Sequence, residues 1–387
     1  MLSTLAIANY RSLHELILPL GPLNVVSGEN GAGKSSLYKA LRLLADIAQG
    51  GVAASLAREG GLQSALWAGP ESLSRAARRG ETPVHGAAPT VSRSLRLGFA
   101  AEQLSYCVDL GYPIPSQSAF DFDPEIKTEC IWAGSVLRPA SMLVERHGPV
   151  VKLRQDSGQW NTVTEGIPTF DSMFNHLADP HRAPEVLQMR EFIRSWRFYD
   201  HFRVDAGSPI RESHHATRTT VLSHDGRDLA AALQTILEIG DAPALANAIE
   251  DAFPGSRLLI TSHDGRLGVT LSQKGLLRSL GAAELSDGTL RFLLWIAALL
   301  TPRPPVLMVL NEPETSLHPD LLPALARLIG VATAQSQLWV VSHSSRLIAA
   351  LEQMKGSIPI RLVKELGETR IAGQSTLDRP NWKWPSR

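Results

Sequence analysis

Apolar and polar positions along this chain follow two rhythms, and the change between them marks its organisation. Residues 2–8 and 16–20 read as strands joined by the polar turn Asn9-Tyr10-Arg11-Ser12, and a third apolar run covers 23–26. Residues 33–48 carry Leu37, Leu41 and Leu44 on one helical face and stop at Gly50-Gly51. From 50 to 89 the chain is rich in Ala, Gly, Ser and Arg without a period, which predicts irregular structure with one or two short helices. Strand-like patterns return at 95–110, 126–132 and 150–153, with Pro113, Pro115, Pro124 and Pro139 at the breaks, so an antiparallel sheet is expected.

Helical periodicity covers 185–196 after Pro184, then 228–238 and 242–253. Residues 257–261 and 267–271 predict a hairpin around His263-Asp264-Gly265. The last third alternates: helix 287–300, buried strand 306–310, helix 319–331, strand 338–341, helix 344–351 and a final strand at 358–363. Strands alternating with helices imply a mostly parallel sheet. No heptad pattern runs for three repeats, which excludes long coiled-coil arms.

Composition narrows this little. The 387 residues are 44% hydrophobic and 20% charged, ordinary for a globular protein and long for one core. Lys plus Arg equals Asp plus Glu at 38 each, so any basic binding surface has to be local. Cys107 and Cys130 form no metal-ligand spacing and suit a reducing compartment. Residues 1–20 lack the features of a signal peptide, and the longest apolar run, 292–300, is about half a membrane span. The expectation is a soluble, cytoplasmic protein with no membrane contact.

The chemistry gathers at four places. After the third strand stands Gly28-Glu29-Asn30-Gly31-Ala32-Gly33-Lys34-Ser35-Ser36, which fits the phosphate-loop pattern G-x-x-x-x-G-K-[ST] and opens a helix. Glycines let backbone N–H groups converge on phosphate oxygens, the helix N-terminus adds donors and a positive dipole end, and Lys34 adds a point charge. The Ser35 hydroxyl can bind Mg²⁺. These features predict binding of a nucleoside triphosphate.

The apolar run 306–310 ends in Asn311-Glu312-Pro313-Glu314, the shape of a Walker B strand. The C-terminal end of such a strand is where doubly wound sheets place ligands, so Glu312 is the candidate to polarise the attacking water. Asn311 stands where an aspartate usually holds Mg²⁺; its amide keeps an acceptor oxygen but loses the charge, making it a weak metal ligand and slow or conditional hydrolysis an open alternative. Leu285-Ser286-Asp287-Gly288-Thr289 opens a helix: Ser286 reads equally as a plain N-cap and, with Gly288, as an anion site for a second molecule's γ-phosphate. Ser342-His343-Ser344 ends the strand after Walker B, where His343 can sense the γ-phosphate or be merely structural.

In this order the motifs resemble the ABC-type ATPases of the RecF, SMC and OLD-like group, and within it the stand-alone bacterial AAA-family ATPases that lack coiled coils. The matching stretches are Ile7-Ala8-Asn9-Tyr10-Arg11-Ser12, G-E-N-G-A-G-K-S-S at 28–36, L-S-D-G-T-L-R at 285–291, L-N-E-P-E-T-S-L-H-P at 310–319 and S-H-S at 342–344, with looser matches at 223–230 and 382–385. The resemblance implies an α/β ATPase head with a mostly parallel sheet, an antiparallel sheet and an inserted mixed α/β lobe. Its segments would be 1–50, 51–256 and 257–387. It further implies ATP and Mg²⁺ as ligands, a homodimer closed by ATP with Ser286 and Gly288 acting in trans, Arg11 near the nucleotide, Glu312 as base and His343 as switch. Gln49 and Gln63 are both weak candidates for the family's glutamine loop. The setting it suggests is DNA maintenance or defence, the alternative an ATP-bound scaffold that controls an effector protein.

The middle of the chain has one stretch of its own, 190–203, where Arg190, Arg194, Arg197 and Arg203 interleave with Phe192, Trp196, Phe198, Tyr199 and Phe202. It reads as a DNA-tracking surface or, more plainly, as aromatics packing under solvated arginines. His201, His214, His215 and His224 match no zinc spacing, so no structural metal is expected.

Overall fold

The computed structural model describes residues 1–69, 94–177, 179–200 and 202–386. His201, and the part of the expected irregular stretch from 70 to 89, lie outside them. Internal contacts divide the chain into two units: one of Met1–Gly21, Gly28–Ser195 and Ile360–Arg387, the other of Pro22–Ser27 and Trp196–Pro359.

The first unit is built on an eight-stranded antiparallel sheet. Its strands are β1 (Leu2–Tyr10), β2 (Leu13–Pro19), β4 (Leu95–Ala101), β5 (Leu104–Gly111), β6 (Glu125–Ala133), β7 (Met142–His147), β8 (Val150–Arg154) and β9 (Trp160–Thr164), in the order β2-β1-β4-β5-β6-β7-β8-β9. Leu5, Ile7, Leu97, Phe99, Tyr106 and Val108 are fully or almost fully buried in it. Helix α1 (Lys34–Ile47) buries Leu37, Leu41 and Leu44, the face expected from their spacing. The short helices Val52–Arg58 and Gly61–Ala65 match the expected one or two. β7 and β9 were not legible: β9 has no buried residue, and in β7 the three apolar residues Met142, Leu143 and Val144 give way to Glu, Arg and His, too short a run to mark a strand. Trp382 and Trp384, near the C-terminus, pack edge-on to each other, Trp382 lies edge-on against Trp132, and Arg96 stacks over Trp384.

In the second unit four parallel strands, β10 (Arg197–Tyr199), β15 (Leu307–Asn311), β16 (Gln337–Val341) and Leu23–Ser27 of β3 (Leu23–Gly28), pair in the order β10-β15-β16-β3. Leu307 through Leu310 and all of β16 are buried, which explains their continuous apolar run. Helices Leu229–Ile239, Asp287–Leu299, Leu322–Ala332 and Ser345–Glu352 complete one apolar core with these strands. The predicted hairpin is β12 (Ser256–His263) and β13 (Arg266–Gln273), turning at Asp264 and Gly265, both with positive φ.

The stretch 190–203 is split between a helix and a strand, and Trp196, Phe198, Tyr199 and Phe202 are buried. Helix Pro184–Arg194 ends two residues short of the expectation, and Arg197–Tyr199 becomes a strand. Phe192 stacks on Phe99, Phe202 meets Trp295 edge-on, and the Tyr199 hydroxyl donates to the Leu222 carbonyl. Arg203 pairs with Asp205 and Arg190 with Glu191. Four of its five aromatics are therefore core, with Phe192 half-buried against Phe99, which favours packing over stacking platforms for bases. The stretch 223–230 is a helix entrance: Ser223 hydrogen-bonds Asp225 and Asp228 just before Leu229–Ile239, and the His224 ring bonds the Phe198 carbonyl.

Candidate nucleotide site

The phosphate loop belongs to the first unit. Leu23–Val26 pairs with β16 in the second unit, and Gly28, two residues on, begins the loop. Gly28 and Gly33 have φ of +147° and +108°. A Cβ at Gly28 would collide with the Leu362 carbonyl oxygen, and one at Gly33 with the Thr369 side chain, so the tight turn requires both glycines. Thr369, on the strand Glu368–Ile371 that the sequence did not predict, donates its hydroxyl to the Ala32 carbonyl and braces the loop from below.

Lys34 is 5% exposed, and its ammonium donates to the carbonyls of Gly28 at 2.6 Å and Glu29 at 2.9 Å. The loop thus wraps around a positive charge at the N-terminal end of α1, the arrangement that suits a polyphosphate. Ser35 is exposed and Ser36 half-buried in the first helical turn. Arg11 forms a salt bridge with Glu59 at 2.8 Å, and Tyr10 donates to the same carboxylate oxygen at 2.7 Å, while the next residue, Ser12, meets the Thr369 hydroxyl that braces the loop. Burial works against the charged guanidinium, but the Glu59 and Tyr10 hydrogen bonds more than offset it and hold Arg11 above its ordinary range. Burial, and then Glu59, push the Tyr10 phenol upward.

The other motifs belong to the second unit. Asn311 closes β15 and is half-buried, an uncharged oxygen donor. Glu312 follows with φ +49°, a left-handed conformation that costs a residue with a Cβ about 1–3 kcal/mol. Its N–H donates to the Val341 carbonyl, which holds this turn against the end of β16. The turn brings the Glu312 carboxylate to 3.3 Å from His343 Nε2, both side chains remaining nearly half exposed. Two residues 31 positions apart in sequence thus meet at the ends of neighbouring parallel strands.

Ser286 caps Asp287–Leu299 by accepting from the Thr289 N–H at 3.1 Å, and its side chain is exposed. Both readings of that residue remain physically compatible. Arg211, which sequence reasoning passed over, organises this turn. It pairs with Asp287 and donates to the carbonyls of Ala282 and Leu285 at 3.1 and 2.9 Å. Gly288 lies beside the backbone of Ser316, itself left-handed at φ +62°. Arg291 is 5% exposed and bonds the carbonyls of Thr315 and Phe202; burial pushes its guanidinium down against the pull of Asp287. A lone arginine inside an apolar helix was the sequence signal for it.

The structure therefore gathers 28–36 in one unit and Ser286, Gly288, Asn311, Glu312 and His343 in the other. Ser35 and Asn311, one in each unit, each carry an uncharged oxygen of the kind a hard cation such as Mg²⁺ takes. Among the described residues no helix is long and apolar enough to cross a membrane.

Comparison with known proteins bears on both units. Residues 1–54 match the family described as "AAA ATPase domain", and residues 209–349 the family described as "AAA domain, putative AbiEii toxin, Type IV TA system". A stretch of 44 residues is 46% identical to the OLD nuclease of Thermus scotoductus, spanning 11% of this chain and only 8% of that protein's length. Among solved structures, the SMC head domain from Thermotoga maritima is similar over 97% of this chain and 99% of its own, at 14% identity and a TM-score of 0.46. An Smc head with an extended coiled coil, bound to the C-terminal domain of ScpA from Pyrococcus furiosus, is similar over 96% and 95%, at 12% identity and 0.46. The two family matches take in the phosphate loop at one end and Ser286, Glu312 and His343 at the other, so both ends of the chain resemble AAA-type ATPase domains, in keeping with the ABC-type resemblance read from the motifs.

Proposed function

We propose that this chain binds ATP on residues 28–36 and hydrolyses it, and that ATP closes a homodimer whose reopening acts as a molecular switch. The observation that carries the reading is the Glu312–His343 pair at the end of the parallel strands. A carboxylate held in a left-handed turn, half exposed and beside an imidazole, suits polarising a water for attack on the γ-phosphate. Lys34 and the loop N–H groups would bind the β- and γ-phosphates, and His343 would orient Glu312 and respond to the γ-phosphate. Mg²⁺, held by Ser35 and more weakly by Asn311, would neutralise phosphate charge. Ser286 and Gly288, on the exposed cap of their helix, would receive the nucleotide of a second copy. A role in DNA maintenance or defence draws on the family resemblance, as does cytoplasmic location; DNA and an effector protein are the partners proposed.

The test is ATPase activity with and without DNA, paired with mass by light scattering, for wild type and Glu312→Gln. Turnover should fall at least about 100-fold in the variant, which should accumulate as an ATP-dependent dimer. Asn311 favours a second reading, an ATP-held scaffold that controls an effector. Wild type that binds ATP yet shows neither turnover nor ATP-dependent dimerisation would establish that reading and sink the first.

A further inference from the structure

Glu314 stands two residues beyond Glu312, and the chemistry proposed above gives it no work. Its Oε1 accepts three hydrogen bonds: from Ser342 Oγ at 2.7 Å, His343 N–H at 2.7 Å and Ser344 N–H at 3.0 Å. Its Oε2 is buried and without a hydrogen-bond partner. Ser342 Oγ also accepts from the Ser344 N–H, and Ser344 Oγ caps the helix Ser345–Glu352 through the Leu347 N–H. The donors of three consecutive residues around His343 are thus gathered on a single carboxylate oxygen. Hydrogen bonds to a charged acceptor are roughly twice as strong as neutral ones.

The turn that carries Glu314 is itself held from the other side. Trp295 Nε1 donates to the Pro313 carbonyl at 3.0 Å and Arg291 to the Thr315 carbonyl at 3.1 Å. Both belong to the helix that Ser286 caps. The His343 side chain is 42% exposed, so its aim depends on where its backbone is held. We infer that Glu314 is a positioning residue: it ties the backbone of Ser342, His343 and Ser344 to the turn after β15 and so sets His343 against Glu312. Its consequence for turnover rests on the ATPase reading, whereas the tie itself can be measured without it.

The experiment compares Glu314→Ala, Glu314→Gln, His343→Ala and the Glu314→Ala/His343→Ala double variant of the full chain. It reads the His343 ring resonances by NMR without nucleotide, and the steady-state kcat and KM for ATP. Glu314→Ala should displace the ring resonances and lower kcat by about tenfold to 100-fold, with KM nearly unchanged. The Gln oxygen can accept from the same N–H groups, so Glu314→Gln should restore the resonances and most of kcat. In the His343→Ala background, Glu314→Ala should cost nothing further.

Unmoved ring resonances in Glu314→Ala, a Gln variant as impaired as Ala, or losses that multiply in the double variant would each overturn the inference. Should Glu314→Ala not fold, Glu314→Asp replaces it: withdrawing the carboxylate by one methylene must still shift the ring and lower kcat, and wild-type behaviour would refute the tie. Absence of turnover in wild type would remove the ATPase reading alone, and the ring resonances would then decide.

Discussion

Glu129 and Glu312 make an instructive pair. Glu129 lies within β6 of the first unit, fully buried, and each of its oxygens is engaged: by Tyr106 and Ser172 on one side, and by Arg146 and the Met173 N–H on the other. Arg146 also donates to the carbonyls of Gly148, Pro168 and Asp171. Burial, and then this carboxylate, push the Tyr106 phenol well above its usual range. Glu312 follows β15 of the second unit, nearly half exposed, in a conformation that glycine would adopt more cheaply, with one imidazole beside it. A carboxylate with every lone pair used has no capacity left for a substrate. One kept partly open at the expense of backbone strain retains it. The same residue type is architecture in one unit and candidate chemistry in the other, and satisfaction of its hydrogen bonds tells them apart.

Breaking the closed cluster should have the largest effect. Arg146→Met strands Glu129 as an uncompensated buried charge and should cost about 3–5 kcal/mol, read from denaturant unfolding of the full chain. A loss below about 1 kcal/mol would mean that Glu129 is not structural, and the contrast would fail. At the open site the sign should reverse. Glu312→Gly relieves the left-handed backbone and should raise stability by up to about 1 kcal/mol while turnover disappears. A destabilised Glu312→Gly protein would show that the turn is held by its side chain instead.

The smallest effect is expected at the surface of the second unit. Arg278, and then the Gly281 N–H, hold the exposed Glu284 carboxyl at about 2. Because its folded value lies below the ordinary one, this pair favours the folded state above pH ~4.5 and loses that contribution as pH falls towards about 2. Arg278→Met should move the Glu284 titration up towards the ordinary carboxylate range, seen by NMR, with little change in midpoint temperature. An unmoved titration would assign the shift to Gly281 alone.

Legibility followed how far each signal travels along the chain. The loop 28–36 was readable because glycine spacing, lysine and the helix start lie within nine residues, and the chemistry is largely local. The buried strands 307–310 and 337–341 were readable because continuous apolar runs have few other uses. The strand Arg197–Tyr199 was not, since three residues beside a helix end become a strand only when β15 offers its edge. The interleaved arginines and aromatics of 190–203 were compatible with a surface as well as with the packed aromatics that the structure has, because period alone cannot say which face a neighbouring element will cover.

By itself, then, the sequence determined the phosphate loop, the alternating α/β order and the identity of Glu312 and His343 as candidates, because these depend on residue type and short spacing. Only the tertiary structure decided that Glu312 and His343 meet at 3.3 Å, that Glu314 gathers the donors around that histidine, and that Arg11 is paired with Glu59. Those facts join residues 28 to 48 positions apart, and such pairs are set by which strands and turns pack together, a property of the whole fold that no local pattern encodes.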